Sequence, residues 1–323
     1  MGALAYGNRP VEVRLLALIT AVVCTRNRCG LLQHAIDSLV TQSLAREKYE
    51  ILVVDNGSTD QTGELVRDRA RQLGNLHYTF EAKSGLSNAR NAGLERAQTP
   101  LVAFMDDDAM ASPRWLEAIC EVFKHRHPQP GVVCGPVQPE WGAPRPQWLT
   151  DNWLPFYSVI NWSMEARCLG ADEWVVGANF AVPRYLAMKC GGFDTSLGRQ
   201  GTVLLSDEEF AFTEQLRHAG YEIFYDPAVS VNHYIHPERL SRRWFFRRVF
   251  WGAVSHSTLE REAMPDRKCR YRCAAKAALG VLRNATSLHQ FIEGEAERVF
   301  RYQQIAEKLG QMRGLLFGSV RLL

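Results

Sequence analysis

Short apolar runs alternate along the chain with longer stretches whose apolar positions recur every three to four residues. Residues 21–24, 51–54 and 101–105 are apolar runs, each followed at once by polar residues, which is the pattern of buried strands. Between them, residues 31–42, 61–73 and 86–97 carry the helical period. Strand and helix in alternation predict a mostly parallel sheet covered by helices. Residues 131–201 are rich in Pro, Trp and Gly and read as loops with short strands. A helix over 207–219, closed by Gly220, then leads into a strand at 221–225, and from about residue 239 the pattern is mainly helical. The expected organisation is an α/β domain over 1–238 followed by a helical extension over 239–323, with 46% hydrophobic residues in 323 to form the core.

In an open α/β sheet, ligands sit beyond the carboxyl ends of the strands, so the polar residues that follow the runs become site candidates: 25–28, 55–60 and 106–108. Asp106, Asp107 and Asp108 at the end of a buried strand repel one another, and a hard divalent cation, Mg²⁺ or Mn²⁺, removes that cost. A solvated acidic turn before a helix capped by Ser112 and begun by Pro113 explains the same residues. Asp55 is placed to accept a hydrogen bond from a base edge, while Gly57 with Ser58, Thr59 or Asp60 also suits a turn and a helix cap. Lys83 and Arg90 sit on the first turns of a helix, where a diphosphate would be stabilised; the alternative is a solvent-facing helix whose Gly93 packs on the sheet. Ser206 and Glu209 match the S-x-x-E capping box, and Asp207 between them is an acid at a helix start, placed to take a proton from a hydroxyl.

These elements occur in order with Cys24-Thr25-Arg26-Asn27, Gly177-Ala178-Asn179-Phe180, Gly191-Gly192-Phe193-Asp194, and Gly220-Tyr221 leading to His233. From about residue 21 to 252 the sequence resembles family 2 glycosyltransferases. The resemblance implies a GT-A type fold, with a Rossmann-like, mostly parallel central sheet flanked by helices, and an inverting transfer from a metal-bound nucleotide sugar, UDP being the default and dTDP and GDP the alternatives. It implies that Thr25, Asn27 and Asp55 contact the nucleoside and that Lys83 and Arg90 lie near the diphosphate. Asp106 and Asp108 would be the ends of the DxD motif around Asp107, with Asp108 the direct metal ligand and His233 a further metal or diphosphate contact. Asp207 is the implied base. Many members carry Glu-Asp where this chain has Ser206-Asp207, which leaves Glu208 and Glu209 open for that role. Asn179, supported by Trp162 or Trp174, is the expected acceptor contact, drawn from a segment with five tryptophans at 141, 148, 153, 162 and 174. Processive members carry Gln-x-x-Arg-Trp and membrane spans; here Leu240 precedes Arg243-Trp244, so addition of single sugars is expected. A sugar nucleotidyltransferase would show a Gly-rich loop within 24–30, and a dinucleotide oxidoreductase a GxGxxG turn; neither is present. A non-catalytic carbohydrate-binding protein on the same fold would have no use for Asp106, Asp108 and Asp207.

Charge adds a partner. The formal net charge is only +3, but residues 261–323 hold 12 Lys/Arg against 6 Asp/Glu. Arg242, Arg243, Arg247 and Arg248 interleave with Trp244, Phe245, Phe246, Phe250 and Trp251. Such a helix either lies on an anionic lipid surface or packs its aromatics on the catalytic domain, turning arginines to water or to the diphosphate. With the apolar end at 315–323, the basic region suits contact with a membrane surface and a lipid-linked acceptor as well as a free saccharide. No nucleic-acid module accompanies the charge, so no nucleic-acid partner is expected. The eight cysteines form no CxxC pair and read as reduced thiols of a cytoplasmic protein, peripheral to the inner face of the cell membrane where the basic region touches it. The apolar stretch 15–24 is too short to span a bilayer and has no cleavage site.

Overall fold

In the computed structural model the described residues are 17–201, 203–264, 266–287 and 295–318. The start of the 15–24 stretch and residues 319–323 of the apolar end lie outside them. The apolar runs form strands β1 (Ile19–Thr25), β2 (Tyr49–Asp55) and β4 (Leu101–Asp106), with β3 (Leu76–Phe80) on the edge. Helices α1 (Cys29–Val40), α2 (Thr62–Gln72) and α3 (Leu86–Arg96) connect them. After β5 (Ala109–Ala111) and α4 (Trp115–His125) come β6 (Val132–Cys134), β7 (Val137–Trp141), β8 (Arg167–Cys168) and β9 (Asn179–Pro183). Then follow α5 (Arg184–Lys189), α6 (Glu208–His218), β10 (Ile223–Tyr225) and β11 (Val231–Ile235).

The main sheet has the order β3-β2-β1-β4-β9-β6-β10-β8. Strands β3, β2, β1 and β4 are mutually parallel, as the pattern predicts, and β9 runs antiparallel to both β4 and β6. Side-chain alternation divides the core. Ala21, Val23, Ile51, Val53, Ala103 and Met105 face one apolar layer, while Val22, Leu52, Val54, Val102 and Phe104 face the other. Gly93 packs on the sheet, one of the two alternatives for this helix: a Cβ there would stand 2.6 Å from Val22 Cγ1, so α3 lies closer to β1 than any side chain would permit.

Parallel register does the functional positioning. Thr25 pairs with Asp55 and Cys24 with Asp106, so three strand ends finish on one edge. A second sheet, β5-β11-β7, crosses beyond that edge and brings His233 opposite Ala109, next to the Asp triplet. The extension is three helices, α7 (Arg242–Ala263), α8 (Arg267–Ser287) and α9 (Glu295–Phe317). Phe245 is wholly buried, with Trp148 at 5.5 Å and Trp153 at 5.2 Å between ring centroids, so α7 turns that aromatic face onto the catalytic domain. The segment 131–201 thereby uses Trp148 and Trp153 as core.

Candidate active site

A cleft of about 290 Å³ opens beyond the carboxyl ends of β1 and β4. Its lining includes Thr25, Arg28, Asn56, Arg90, Asp106, Asp107, Asp108, Glu208 and Glu209, with Arg199 and Arg248 contributed from far along the chain. Five arginines, counting Arg26, meet five carboxylates there, an arrangement for a highly charged ligand.

The Asp triplet divides three ways. Asp107 accepts from Thr25 Oγ1 at 2.7 Å and from Arg28 Nη1 at 3.0 Å. Burial pushes its carboxyl up to about 6, against the lowering effect of Arg28. Asp108 is 6% exposed and accepts from Arg28 at 2.9 Å and Arg239 at 2.8 Å, with His233 Nε2 at 3.1 Å. Burial works against its charge, but His233, Arg239 and Arg28 outweigh it and hold Asp108 well below the usual carboxylate range. Asp106 stays the most open of the three and faces Arg90 Nη2 at 3.6 Å. Ligand atoms of Asp106, Asp108 and His233 all lie within 4.8 Å of one another. Two hard carboxylates suit Mn²⁺ or Mg²⁺ and the imidazole favours Mn²⁺ of the two, so these residues fit the cation expected from the sequence. His233 Nδ1 lies 3.0 Å from the Tyr157 carbonyl, which directs Nε2 to Asp108.

Arg90 forms the second centre. It is 2% exposed and pairs with Glu208 Oε1 at 2.6 Å, with Glu209 Oε2 at 3.8 Å. A Cβ on Gly177 would fall 2.1 Å from Arg90 Nη2, which explains a glycine at this point. The next residue of the same helix, Asn91, exchanges two hydrogen bonds with the Phe193 backbone, at 2.8 and 2.9 Å, and so ties the Gly191-Gly192-Phe193 turn to α3. Glu209 accepts from Gly177 N–H at 3.1 Å, and its other oxygen is buried without a hydrogen bond. Burial and the neighbouring Glu208 push the Glu209 carboxyl up to about 8, with Arg90 opposing. A carboxyl so perturbed in a cleft is a candidate for proton transfer, as acid or as base.

The remaining expected residues are placed as follows. Asn27, with φ of 55°, accepts from Thr59 N–H at 2.7 Å and lines an adjoining cleft of about 530 Å³, whose wall shares Arg28 and Asp108 with the first. Asp55 is 2% exposed and accepts from Ser58 N–H at 2.7 Å and Tyr78 Oη at 2.9 Å, so it shapes the turn after β2 and lies outside the lining of the first cleft. Its neighbour Asn56 is the residue that lines it; Asn56 accepts from Gly85 N–H and donates to the Lys83 carbonyl, fixing the start of α3. The side chain of Lys83 is exposed.

Three expectations change. Asn179 is 0% exposed and its amide is saturated by Trp115 Nε1, the Pro136 carbonyl and the Val229 carbonyl, so it holds strands together and offers nothing to an acceptor. Trp162 packs edge-to-face on Trp174 at 4.8 Å and donates to the Trp174 carbonyl, and Trp174 lines a cleft of about 400 Å³. The capping box at the start of α6 is not formed. Ser206 Oγ donates to Asp207 at 2.7 Å, Glu209 turns to Gly177, and Asp207 takes a left-handed φ of 73° that directs its carboxylate away from the Asp triplet, toward His256 at 3.5 Å. Glu208 and Glu209, and not Asp207, line the cleft that holds the triplet. Arg199, Arg239 and Arg248 had no local signal in the sequence beyond the arginine-rich helix start, since each reaches the site through tertiary packing.

The family model for glycosyl transferase family 2 matches residues 20–189, just over half of the chain. The chain belongs to glycosyl transferase family 2. It is 26% identical over 251 residues to the glucosyl-dolichyl phosphate glucuronosyltransferase of Haloferax volcanii, covering 75% of this chain and 77% of that one. It is 27% identical over 241 residues to the succinoglycan biosynthesis protein ExoM of Rhizobium meliloti, covering 73% of each. The validoxylamine A glucosyltransferase of Streptomyces hygroscopicus is 28% identical over 200 residues, although the match spans only 47% of its length. Among solved structures, the mannosyltransferase PcManGT from Pyrobaculum calidifontis, in complex with GDP-Man and Mn²⁺, superposes with a TM-score of 0.62 at 21% identity, over 92% of this chain and 87% of that one. S. aureus TarS in complex with UDP gives 0.52 at 20% identity, over 74% and 65%. These likenesses establish the GT-A fold, and the family establishes a glycosyltransferase.

Proposed function

We propose that the protein transfers one sugar, with inversion, from a UDP-sugar to a hydroxyl of a saccharide or lipid-linked acceptor, and that Glu209 is the base. The observation that carries this reading is one cleft lined together by Asp106 and Asp108 of the cation-ready group, an arginine cluster and a carboxyl pushed up to about 8. The diphosphate of the donor lies between Arg28, Arg90 and Arg248, and the nucleoside extends toward Thr25 and Asn27 through the adjoining cleft. Asp106, Asp108 and His233 hold the divalent cation, which when bound supplies Lewis-acid stabilisation of charge on the leaving diphosphate. Glu209 receives the proton of the acceptor hydroxyl as that oxygen attacks the anomeric carbon from the face opposite the diphosphate. Glu208 stays paired with Arg90 and keeps it in place for the leaving group. UDP is preferred as the donor nucleotide, and the PcManGT and TarS complexes, with GDP-Man and UDP, make GDP the alternative.

A lipid-linked acceptor is supported by α8. Its exposed face carries Lys268, Tyr271, Arg272, Lys276, Leu279 and Leu282, and the helix contains no acidic residue, a composition that suits an anionic lipid surface. Among the described residues no helix is long and apolar enough to cross a membrane. The first relative named above acts, by its name, on a dolichyl phosphate-linked sugar. The reading is tested by incubating the protein and Mn²⁺ with methyl glycosides of glucose, galactose, mannose and N-acetylglucosamine as acceptors, adding UDP-glucose, UDP-N-acetylglucosamine, UDP-glucuronate or GDP-mannose, and measuring nucleotide release. Release from one donor above the protein-free rate is expected; release from none of them contradicts it.

A further inference from the structure

Asp207 stands outside the donor cleft, yet its backbone is strained. Among the described residues three non-glycine residues have left-handed φ, namely Asn27, Ser158 and Asp207, and all three line clefts around the site. Such backbone costs on the order of 1–3 kcal/mol and persists where surrounding structure enforces it. At Asp207 the enforcing contacts are Ser206 Oγ at 2.7 Å and the Asp207 carbonyl accepting from Ala211 N–H at 2.8 Å. The strained turn sends successive carboxylates to opposite sides: Glu208 and Glu209 to the donor, Asp207 into a separate cleft of about 400 Å³.

That second cleft is walled by the catalytic domain on one side and by α7 and α9 on the other. Trp174 and Phe156 supply apolar faces, and Asp207, Glu307, Arg248, His256, Asn152 and Gln311 supply planar polar groups. Ser257, 1% exposed, also lines it, and its Oγ is buried without a hydrogen-bond partner. Only a thin partition separates the two clefts, because Ser206 and Arg248 line both and meet at 3.2 Å. Flat aromatic walls with two carboxylates, a guanidinium, an imidazole and amides between them match the alternating C–H faces and hydroxyl edges of a pyranose ring.

We propose that this second cleft is the acceptor subsite, that it binds a neutral saccharide, and that Asp207 and His256 hold the hydroxyls of its ring while Trp174 covers one face. The inference rests on the transferase reading and deepens it. It makes α7 and α9 part of the active site, since His256 and Gln311 come from the helical extension. Ser206 and Arg248, which line both clefts, then stand between the bound acceptor and the donor.

The test is saturation-transfer NMR on the full chain with UDP and Mn²⁺ present, using methyl β-glucoside, methyl β-galactoside, methyl α-mannoside and methyl β-N-acetylglucosaminide as probes. At least one glycoside is expected to bind the wild type. Its affinity falls about fivefold or more in His256→Ala and in Gln311→Ala, the effect of losing one hydrogen bond, and falls also in Trp174→Ala, while UDP affinity stays within about twofold in all three. Retained UDP affinity reports that each variant is folded. Binding of no glycoside to the UDP-loaded wild type overturns the proposal, as does undiminished glycoside binding in all three variants. Failure of UDP itself to bind the wild type overturns the donor reading first, and this proposal with it.

Discussion

Replacing Glu209 with Gln removes the proposed base with almost no change of shape. Gln keeps an oxygen to accept from Gly177 N–H, now at 3.1 Å, and lies beside the Arg90–Glu208 pair, which remains intact at 2.6 Å. A positioned general base contributes about 10²–10⁴-fold to rate, equivalent to about 3–5 kcal/mol of barrier at about 1.4 kcal/mol per decade. The expected loss in kcat therefore falls in that range with donor affinity little changed. The pH dependence gives an independent check. Because the Glu209 carboxyl is pushed up to about 8, it is mostly protonated and inactive as a base at pH 7. A base must be deprotonated, so kcat/KM rises with pH, about tenfold per unit below 8, and levels off above it. In Glu209→Gln that rise disappears. The assay is initial-rate transfer between pH 6 and 9.5 for wild type, Glu209→Gln and Asp207→Asn. A wild-type profile with no rise toward pH 8, or a larger kcat loss in Asp207→Asn than in Glu209→Gln, refutes Glu209 as base and returns the role to Asp207.

Gly177→Ala places a methyl 2.1 Å from Arg90 Nη2 and forces the guanidinium off the Glu208 pair; a stability loss of about 1–3 kcal/mol by urea unfolding is expected, together with weaker UDP binding by calorimetry. Phe245→Ala empties the junction between α7 and the Trp148–Trp153 pair, and a loss of about 3–5 kcal/mol is expected; a loss under about 1 kcal/mol means the extension does not depend on that contact. Reversing Lys268, Arg272 and Lys276 to Glu should weaken binding to phosphatidylglycerol vesicles at least about 100-fold in sedimentation assays, at about 1 kcal/mol per basic residue, with neutral vesicles unaffected.

What could be read in the sequence follows from interaction range. The strands and the turns after them are written in local periodicity, so the edge carrying Thr25 and Asp106–Asp108 was legible from three short segments. His233 was reachable only through the resemblance, because its approach to Asp108 depends on β5 and β11 pairing across more than a hundred residues. The Arg90–Glu208 pair likewise joins residues 118 apart and leaves no periodic trace. Local reasoning erred where local and tertiary partners compete. Ser206 and Glu209 have the spacing of a capping box, yet Gly177 and Arg90 claim Glu209, and Asp207 bends to a left-handed φ. Asn179 sits in a motif that looks functional, but the insertion of β9 antiparallel between β4 and β6 buries it completely. The arginine-rich start of α7 allowed two readings, and the burial of Phe245 selects packing on the catalytic domain, which in turn delivers Arg248 to the cleft.

The most direct measurement is calorimetric titration of UDP and GDP, each with and without Mn²⁺, into the wild type and into Asp108→Ala. One nucleotide should bind the wild type at least about tenfold more tightly with the metal than without it, and that increment should vanish in Asp108→Ala. No nucleotide binding by the folded wild type, or binding that ignores both Mn²⁺ and the loss of Asp108, would contradict a metal-assisted nucleotide-sugar site at this cleft.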